Sequence, residues 1–239
     1  MQRFWSRAEA GPAREGGFAV LLDGRPMRLP SGAALAVPTL PLAEALAAEW
    51  QAAGGEKGQE FSLEELPLTR LVGTAIDRIA PDPPQAVATI AKYGETDLLC
   101  YRADFPPALA ARQHAAWQPL LDWAALAFDA PLRVTAGVIA IDQPPEALSA
   151  LARAVAAHEP VALSALGLIV QSTGSLVLGL AVSHRRLAAA EAHALATLDE
   201  AFQAEEWGED EEAAGRLARI AADVALAERL LALSRAEGP

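Results

Sequence analysis

No charged residue lies between Glu159 and His184, and this stretch limits what the chain can fold into more than any other. It is long enough to cross a bilayer as a single helix, which takes about 20 apolar residues. Its middle, however, reads Gln171-Ser172-Thr173-Gly174-Ser175, and Ser164, Gly167 and Gly179 interrupt the apolar run further. Such a segment makes a poor lipid-facing helix. The alternative is a pair of helices buried in protein and bent or broken at Ser172 to Ser175. Buried helices need a sizeable body around them. With 239 residues, 52% of them apolar, the chain can supply it, and a globular protein without stable membrane insertion is expected.

Upstream, the pattern changes from helical to extended. Phe18 to Leu22 is an apolar run, Asp23-Gly24 is a hairpin signal, and Met27 and Leu29 alternate with Arg28. Pro26 cannot donate to a ladder, so it marks the return strand as an edge or a bulge. Leu35-Ala36-Val37 offers one more short strand. Helical spacing begins at Leu42, Leu46 and Trp50 and stops at Gly54-Gly55. Pro67 suits a first helical turn, and Leu71, Val72, Ala75, Ile76 and Ile79 follow as one stripe up to Pro81, Pro83 and Pro84. That proline cluster divides the reading into an α+β domain over residues 1–84 and a mainly helical domain over 85–239. In the second domain, Trp117, Leu120, Leu121, Ala124 and Phe128 share a face that Pro119 kinks or restarts. His114 falls near that face and reads as a core or boundary histidine. Leu132 to Ile141 reads as a short strand or extended loop. Leu187, Leu195, Leu198 and Phe202 predict one long helix, and Leu217, Ile220, Val224, Ala227 and Leu231 form a packing seam.

Charge and cysteine content narrow the function classes. The formal net charge of -12 repels phosphate backbones and anionic lipid, which argues against nucleic-acid partners. A single cysteine, Cys100, excludes an internal disulfide and fits a reducing, cytoplasm-like compartment. The opening Met1-Gln2-Arg3-Phe4-Trp5 carries no apolar leader, so cytoplasmic residence is the expectation.

Catalytic signatures are absent from the sequence. None of the four histidines sits in an HExxH pattern, Lys57 lacks the spacing of a phosphate loop, and no serine lies in a nucleophile elbow. No cofactor is therefore expected. Two constellations remain. Tyr93-Gly94-Glu95-Thr96-Asp97 precedes Leu98-Leu99-Cys100-Tyr101-Arg102, and its two carboxylates read either as a metal-dependent acid/base pair or as caps on a Gly-terminated helix. The second constellation holds eight acids between Asp199 and Glu212, around Trp207 and Gly208. Gly208 can close one helix so that Glu209, Asp210, Glu211 and Glu212 favour the positive end of the next. The acids before it, Glu200 among them, gain nothing from that. A tryptophan ringed by charge also reads as an interface anchor, and the two readings stand side by side.

Taken in order, Arg3-Phe4-Trp5, Leu22-Asp23-Gly24-Arg25-Pro26, Pro67-Leu68-Thr69-Arg70-Leu71, Tyr93 to Arg102, Pro119-Leu120-Leu121-Asp122-Trp123, Thr173-Gly174-Ser175 and Trp207-Gly208 resemble the ATP synthase alpha-subunit assembly chaperones of mitochondria and alphaproteobacteria. The resemblance implies a small α+β N-terminal domain and a larger helical domain. It also implies binding of the unassembled alpha subunit, protection of it from aggregation before it pairs with beta, and no ATP hydrolysis by the chaperone itself. An acid in the C-terminal domain is implied to matter, with Glu200, Glu209 and Glu211 as candidates. Tyr93, Glu95, Asp97, Trp207, Gly208 and Asp210 complete the expected partner-binding set. The alternative is a metal-dependent enzyme using Glu95 and Asp97.

Overall fold

The computed structural model describes residues 1–14, 16–137, 139–208 and 210–235, so Glu209 lies outside the described residues. The fold is α+β, with a small antiparallel sheet near the N-terminus and helices through most of the rest. The chain forms two compact units. One holds Met1–Pro83, Pro160–Ala165 and the chain from Arg229 onward; the other holds Pro84–Glu159 and Leu166–Glu228.

In the first unit, β1 (Ala8–Pro12) pairs antiparallel with β2 (Phe18–Leu22), and β2 turns back through Asp23-Gly24 into β3 (Arg25–Pro26). Both turn residues have positive φ, 49° at Asp23 and 76° at Gly24, as a two-residue hairpin turn of this hand requires. β4 (Ala36–Val37) pairs with the other end of β2, Phe18 facing Val37. β1 escaped the sequence reading because Ala-Glu-Ala-Gly-Pro shows no alternation of bulky apolar residues. Helix α1 (Leu40–Ala52) buries Leu42, Leu46 and Trp50 and packs on β1 and β2.

The Arg-Phe-Trp and Pro-Leu-Thr motifs lock this unit. The buried Arg3 guanidinium donates to the carbonyls of Gln51, Ala53 and Gly55 at 2.6–3.1 Å, satisfying acceptors that the end of α1 leaves free. Trp5 Nε1 donates to the Trp50 carbonyl, and Trp50 Nε1 donates to Thr69 Oγ1. The Glu49 carboxylate accepts the N–H groups of Leu68 and Thr69 in the first turn of α2 (Pro67–Thr74), taking the place of a capping side chain. The helical course continues as a π turn over Ala75–Ile79.

The second unit starts with α3 (Pro83–Ala91) and two 3-10 turns, Lys92–Thr96 and Leu98–Cys100. β5 (Tyr101–Arg102) follows, then α4 (Pro107–Phe128), which runs through Pro119 without a break. Gln113, four residues before Trp117, occupies the buried face, and His114 is exposed, against the sequence expectation. β6 (Thr135–Ala136) pairs parallel with β5, so the Leu132–Ile141 segment does contain a short strand. Next come α5 (Pro145–Ala156), α6 (Pro160–Thr173) and α7 (Leu176–Ser183). The charge-free stretch is thus two helices. Gly174 at φ 70° closes α6, and Ser175 Oγ caps α7 by accepting the Leu178 N–H. No helix among the described residues is long and apolar enough to cross a membrane. The core of this unit gathers Leu99, Cys100, Trp117, Leu120, Leu121, Val177, Leu178 and Leu198.

The long helix predicted from Leu187 to Phe202 is instead two, α8 (Ala189–Ala196) and α9 (Leu198–Trp207), separated at Thr197. Thr197 leaves helical geometry at φ -113°, while its hydroxyl donates back to the His193 carbonyl. The Thr197 N–H reaches the same carbonyl at 3.0 Å, so the separation is a local change of backbone geometry and not a lost ladder bond. The last helix, α10 (Glu211–Ser234), buries Val224, Ala227 and Leu231 of the expected seam.

Candidate partner-binding surface

The two acidic constellations take different forms. In the first, Asp97 is fully buried and its carboxylate organises the interior. Oδ1 accepts the Leu99 N–H at 3.0 Å and the Ser175 hydroxyl at 2.8 Å, and Oδ2 accepts the Val177 N–H at 2.9 Å. One side chain thereby caps the Leu98–Cys100 turn and ties it to the start of α7. Burial pushes the Asp97 pKa above the usual carboxylate range, against the pull of those three donors. Asp97 therefore cannot face a partner, and its place in the expected contact set is corrected to a scaffold role. Glu95 is exposed, so the two carboxylates that the enzyme alternative needs together lie in opposite environments. Among the described residues no group of three His, Cys, Asp or Glu side chains is placed to hold a metal ion. Cys100 is buried beside Asp97, and burial first, then the Asp97 charge, pushes its thiol up to about 12. Arg102 sits over the Trp117 ring at 5.3 Å, and burial lowers its pKa.

Glu95 lines a shallow depression of about 330 Å³ together with Lys92 and the α5 residues Leu148 and Ser149. Tyr93 beside it is half-buried. The structure does not bring this pair into the groove formed by the second constellation.

That constellation builds a groove. α9 ends at Trp207, Gly208 turns the chain at φ 91° and ψ 166°, and Asp210 opens α10 by accepting the Glu212 N–H at 3.1 Å. Only glycine adopts the Gly208 conformation without strain, so this residue is a hinge of the backbone and offers no side chain to a partner. Glu211 and Glu212 occupy the first turn of α10, where the helix dipole favours them. Because the chain breaks at Thr197, Asp199 and Glu200 also fall in a first turn, that of α9. The sequence reading had placed them unfavourably. Glu205 and Glu206 alone sit at a helix C-terminus.

Two arginines answer part of this charge. Arg112 on α4 donates to both oxygens of Glu205 at 2.7 and 2.9 Å, and it holds that carboxyl below its ordinary pKa. Arg216 on α10 reaches Glu200 at 3.3 Å. Glu206, Glu211 and Glu212 have no ion-pair partner among the described residues. Between the helices lies a mainly apolar groove of about 680 Å³, with Ala201, Ala204, Ala213 and Leu217 in its lining and Arg112, Glu200, Asp210 and Arg216 at polar positions. Trp207 lines it too and is 80% exposed. A second, more polar depression of about 480 Å³ shares Glu200, Gln203 and Arg216 with it and reaches Leu98, Trp117 and the Ser172–Gly174 turn. Sequence reading flagged Trp207 and the acids, but missed Arg112 and the alanine lining, which come together only through tertiary packing.

An exposed tryptophan on an apolar groove is what a protein that holds other molecules by a surface presents. Comparison with known proteins gives that class its name. A family model described as "ATP12 chaperone protein" matches residues 2–125. The crystal structure of Atp12 from Paracoccus denitrificans is 45% identical, with a TM-score of 0.91 and 98% of each chain covered. A variant of P. denitrificans Atp12p with an aspartate replaced by lysine matches equally well, at 45% identity, TM-score 0.91 and 98% of each chain. The candidate chaperone Atu1473 from Agrobacterium tumefaciens is 41% identical, with a TM-score of 0.90 over 98% of this chain and 86% of its own. The protein is a chaperone by this likeness. It belongs to the ATP12 chaperone family. The family model ends before α9, so the groove's link to the family rests on the structural matches.

Proposed function

We propose that this chain binds the free alpha subunit of the F-type ATP synthase catalytic head, prevents its aggregation until it pairs with beta, and catalyses no reaction. The observation that carries the reading is the match to Atp12 over 98% of both chains, together with the motif order from Arg3-Phe4-Trp5 to Trp207-Gly208 that resembles the alpha-subunit assembly chaperones. The helical part, residues 85–239, carries the partner surface, with Glu200, Trp207, Asp210 and Glu211 at its centre and Tyr93 and Glu95 as outlying contacts. The work is done in the cytoplasm, where the alpha chain is made.

The physics suits that task. An unassembled subunit exposes the apolar surface its neighbour will cover, and such surface drives aggregation. A chaperone present at about 100 times its dissociation constant stabilises the bound chain by about 2.7 kcal/mol, which a larger permanent interface then exceeds. The test is light scattering after dilution of denatured alpha subunit. Scatter suppressed at near-stoichiometric chaperone supports the reading; scatter rising as fast as without it contradicts the reading.

A further inference from the structure

We propose that the α9–α10 groove takes an amphipathic segment of the partner, aliphatic on one side with arginine or lysine beside it, and that Arg112 and Arg216 hold the groove's carboxylates until the partner's cations replace them. The inference rests on the chaperone reading above and specifies what its surface recognises.

The groove exists because the side chains lining it are small. Ala201 and Ala204 on α9 and Ala213 and Ala214 on α10 line the space between two helices joined by a short glycine turn, and methyl groups cannot fill it. Leu198 and Leu217 add to this apolar part of the lining, where aliphatic side chains fit best, while Arg112, Glu200, Gln203, Asp210 and Arg216 supply its polar positions. Trp207 stays on the lip, where an arriving segment would cover its exposed ring.

Charge selects among apolar segments. Glu200 and Asp210 line the groove with Arg112 and Arg216, and Glu205, Glu206, Glu211 and Glu212 add four carboxylates around the turn that joins α9 to α10. An acidic segment is repelled, a neutral one leaves the carboxylates unanswered, and a basic one answers them. The internal pairs are easily exchanged. The Arg112 and Glu205 side chains are 43% and 58% exposed, and those of Arg216 and Glu200 are 51% and 31% exposed. Pairs this open to water shift an equilibrium by at most about fivefold each. A partner cation can therefore replace each arginine at small cost. When the partner leaves, the arginines re-pair and relieve the like-charge repulsion on α9, which makes the hold reversible.

The experiment uses the full-length chain and tryptophan fluorescence. Trp5, Trp50 and Trp117 are buried and Trp123 is half-buried, so Trp207 is the most exposed reporter, and the part of the change that Trp207→Phe abolishes is assigned to it. The probes are three synthetic amphipathic helical peptides of equal length, leucine with lysine, leucine with glutamine and leucine with glutamate. The lysine peptide is expected to bind at least about tenfold tighter than the glutamate peptide at low salt, with the margin shrinking as salt rises. Arg112→Gln with Arg216→Gln should tighten it about threefold, and Glu200→Gln with Glu205→Gln should weaken it by a similar factor or more. Circular dichroism of each variant matching the wild type shows that folding is unaffected. Equal affinity for the three peptides, or arginine variants that bind no tighter, overturns the inference. So does a dimer of this chain that Trp207→Ala dissociates, because a second copy would then be the occupant. Capture of the alpha subunit is measured alongside. If capture persists while the peptide pattern fails, the groove inference falls alone; if the wild type captures no alpha subunit, the functional reading falls.

Discussion

Replacing Asp97 with alanine removes one side chain and orphans three donors at once: the Leu99 and Val177 N–H groups and the Ser175 hydroxyl. Asp97, Leu99, Ser175 and Val177 are all fully buried, so bulk solvent does not reach the orphaned donors directly. A buried donor left unsatisfied costs about 1–3 kcal/mol, and the serine hydroxyl can turn to another acceptor, so the two backbone groups set a loss of about 2–6 kcal/mol. Against the ~5–15 kcal/mol that holds a typical domain together, this is a large fraction. Urea unfolding followed by circular dichroism should show it as a lower midpoint at similar slope. Asp97→Asn keeps one acceptor oxygen and should lose less. The pH dependence carries a sign. Burial raises the Asp97 pKa, so the folded state binds the proton more tightly than the unfolded chain does, and this group's contribution is lost as pH rises from the unfolded value through the folded one. The stability gap between wild type and Asp97→Asn should therefore narrow across that range. A loss below about 1 kcal/mol for the alanine variant, or a gap that widens with pH, would refute the scaffold role.

Two further substitutions test other parts of the account. Arg3→Met leaves the Gln51, Ala53 and Gly55 carbonyls without their shared Nη1 donor and should cost about 3 kcal/mol in chemical denaturation, with Arg3→Lys recovering only part of it, because one ammonium can replace Nη1 but not also the Nε and Nη2 bonds to the Trp5 and Ser6 carbonyls. Gly208→Ala forces a side chain into a glycine-only backbone region and should cost about 1–3 kcal/mol, read as a lowered melting temperature, together with weakened partner capture as α9 and α10 shift.

Features carried by local chemistry were legible in the sequence. The Asp23-Gly24 hairpin, Pro67 opening a helix and the break at Gly174-Ser175 each follow from a conformational preference of the residues involved. Asp97 was legible as a cap but also as a surface acid, because sequence alone gives no burial. The split at Thr197 was hidden, since threonine inside an apolar pattern is no breaker, and the same kind of side-chain bond to the carbonyl four residues back leaves α3 unbroken at Thr89. β1 lacked periodicity because its residues are small. Gln113 and not His114 takes the buried position because both lie about one helical turn before Trp117, and the choice between them is made by packing. The groove could not be foreseen. It needs alanines from two helices, a positive-φ glycine and an arginine 93 residues distant from its glutamate.

The most direct measurement is sedimentation velocity of this chain mixed with isolated alpha subunit and, separately, with the assembled catalytic head. The account predicts a discrete complex with the free subunit and none with the assembled head, where beta already covers the surface. Equal binding to both, or to neither, would contradict it.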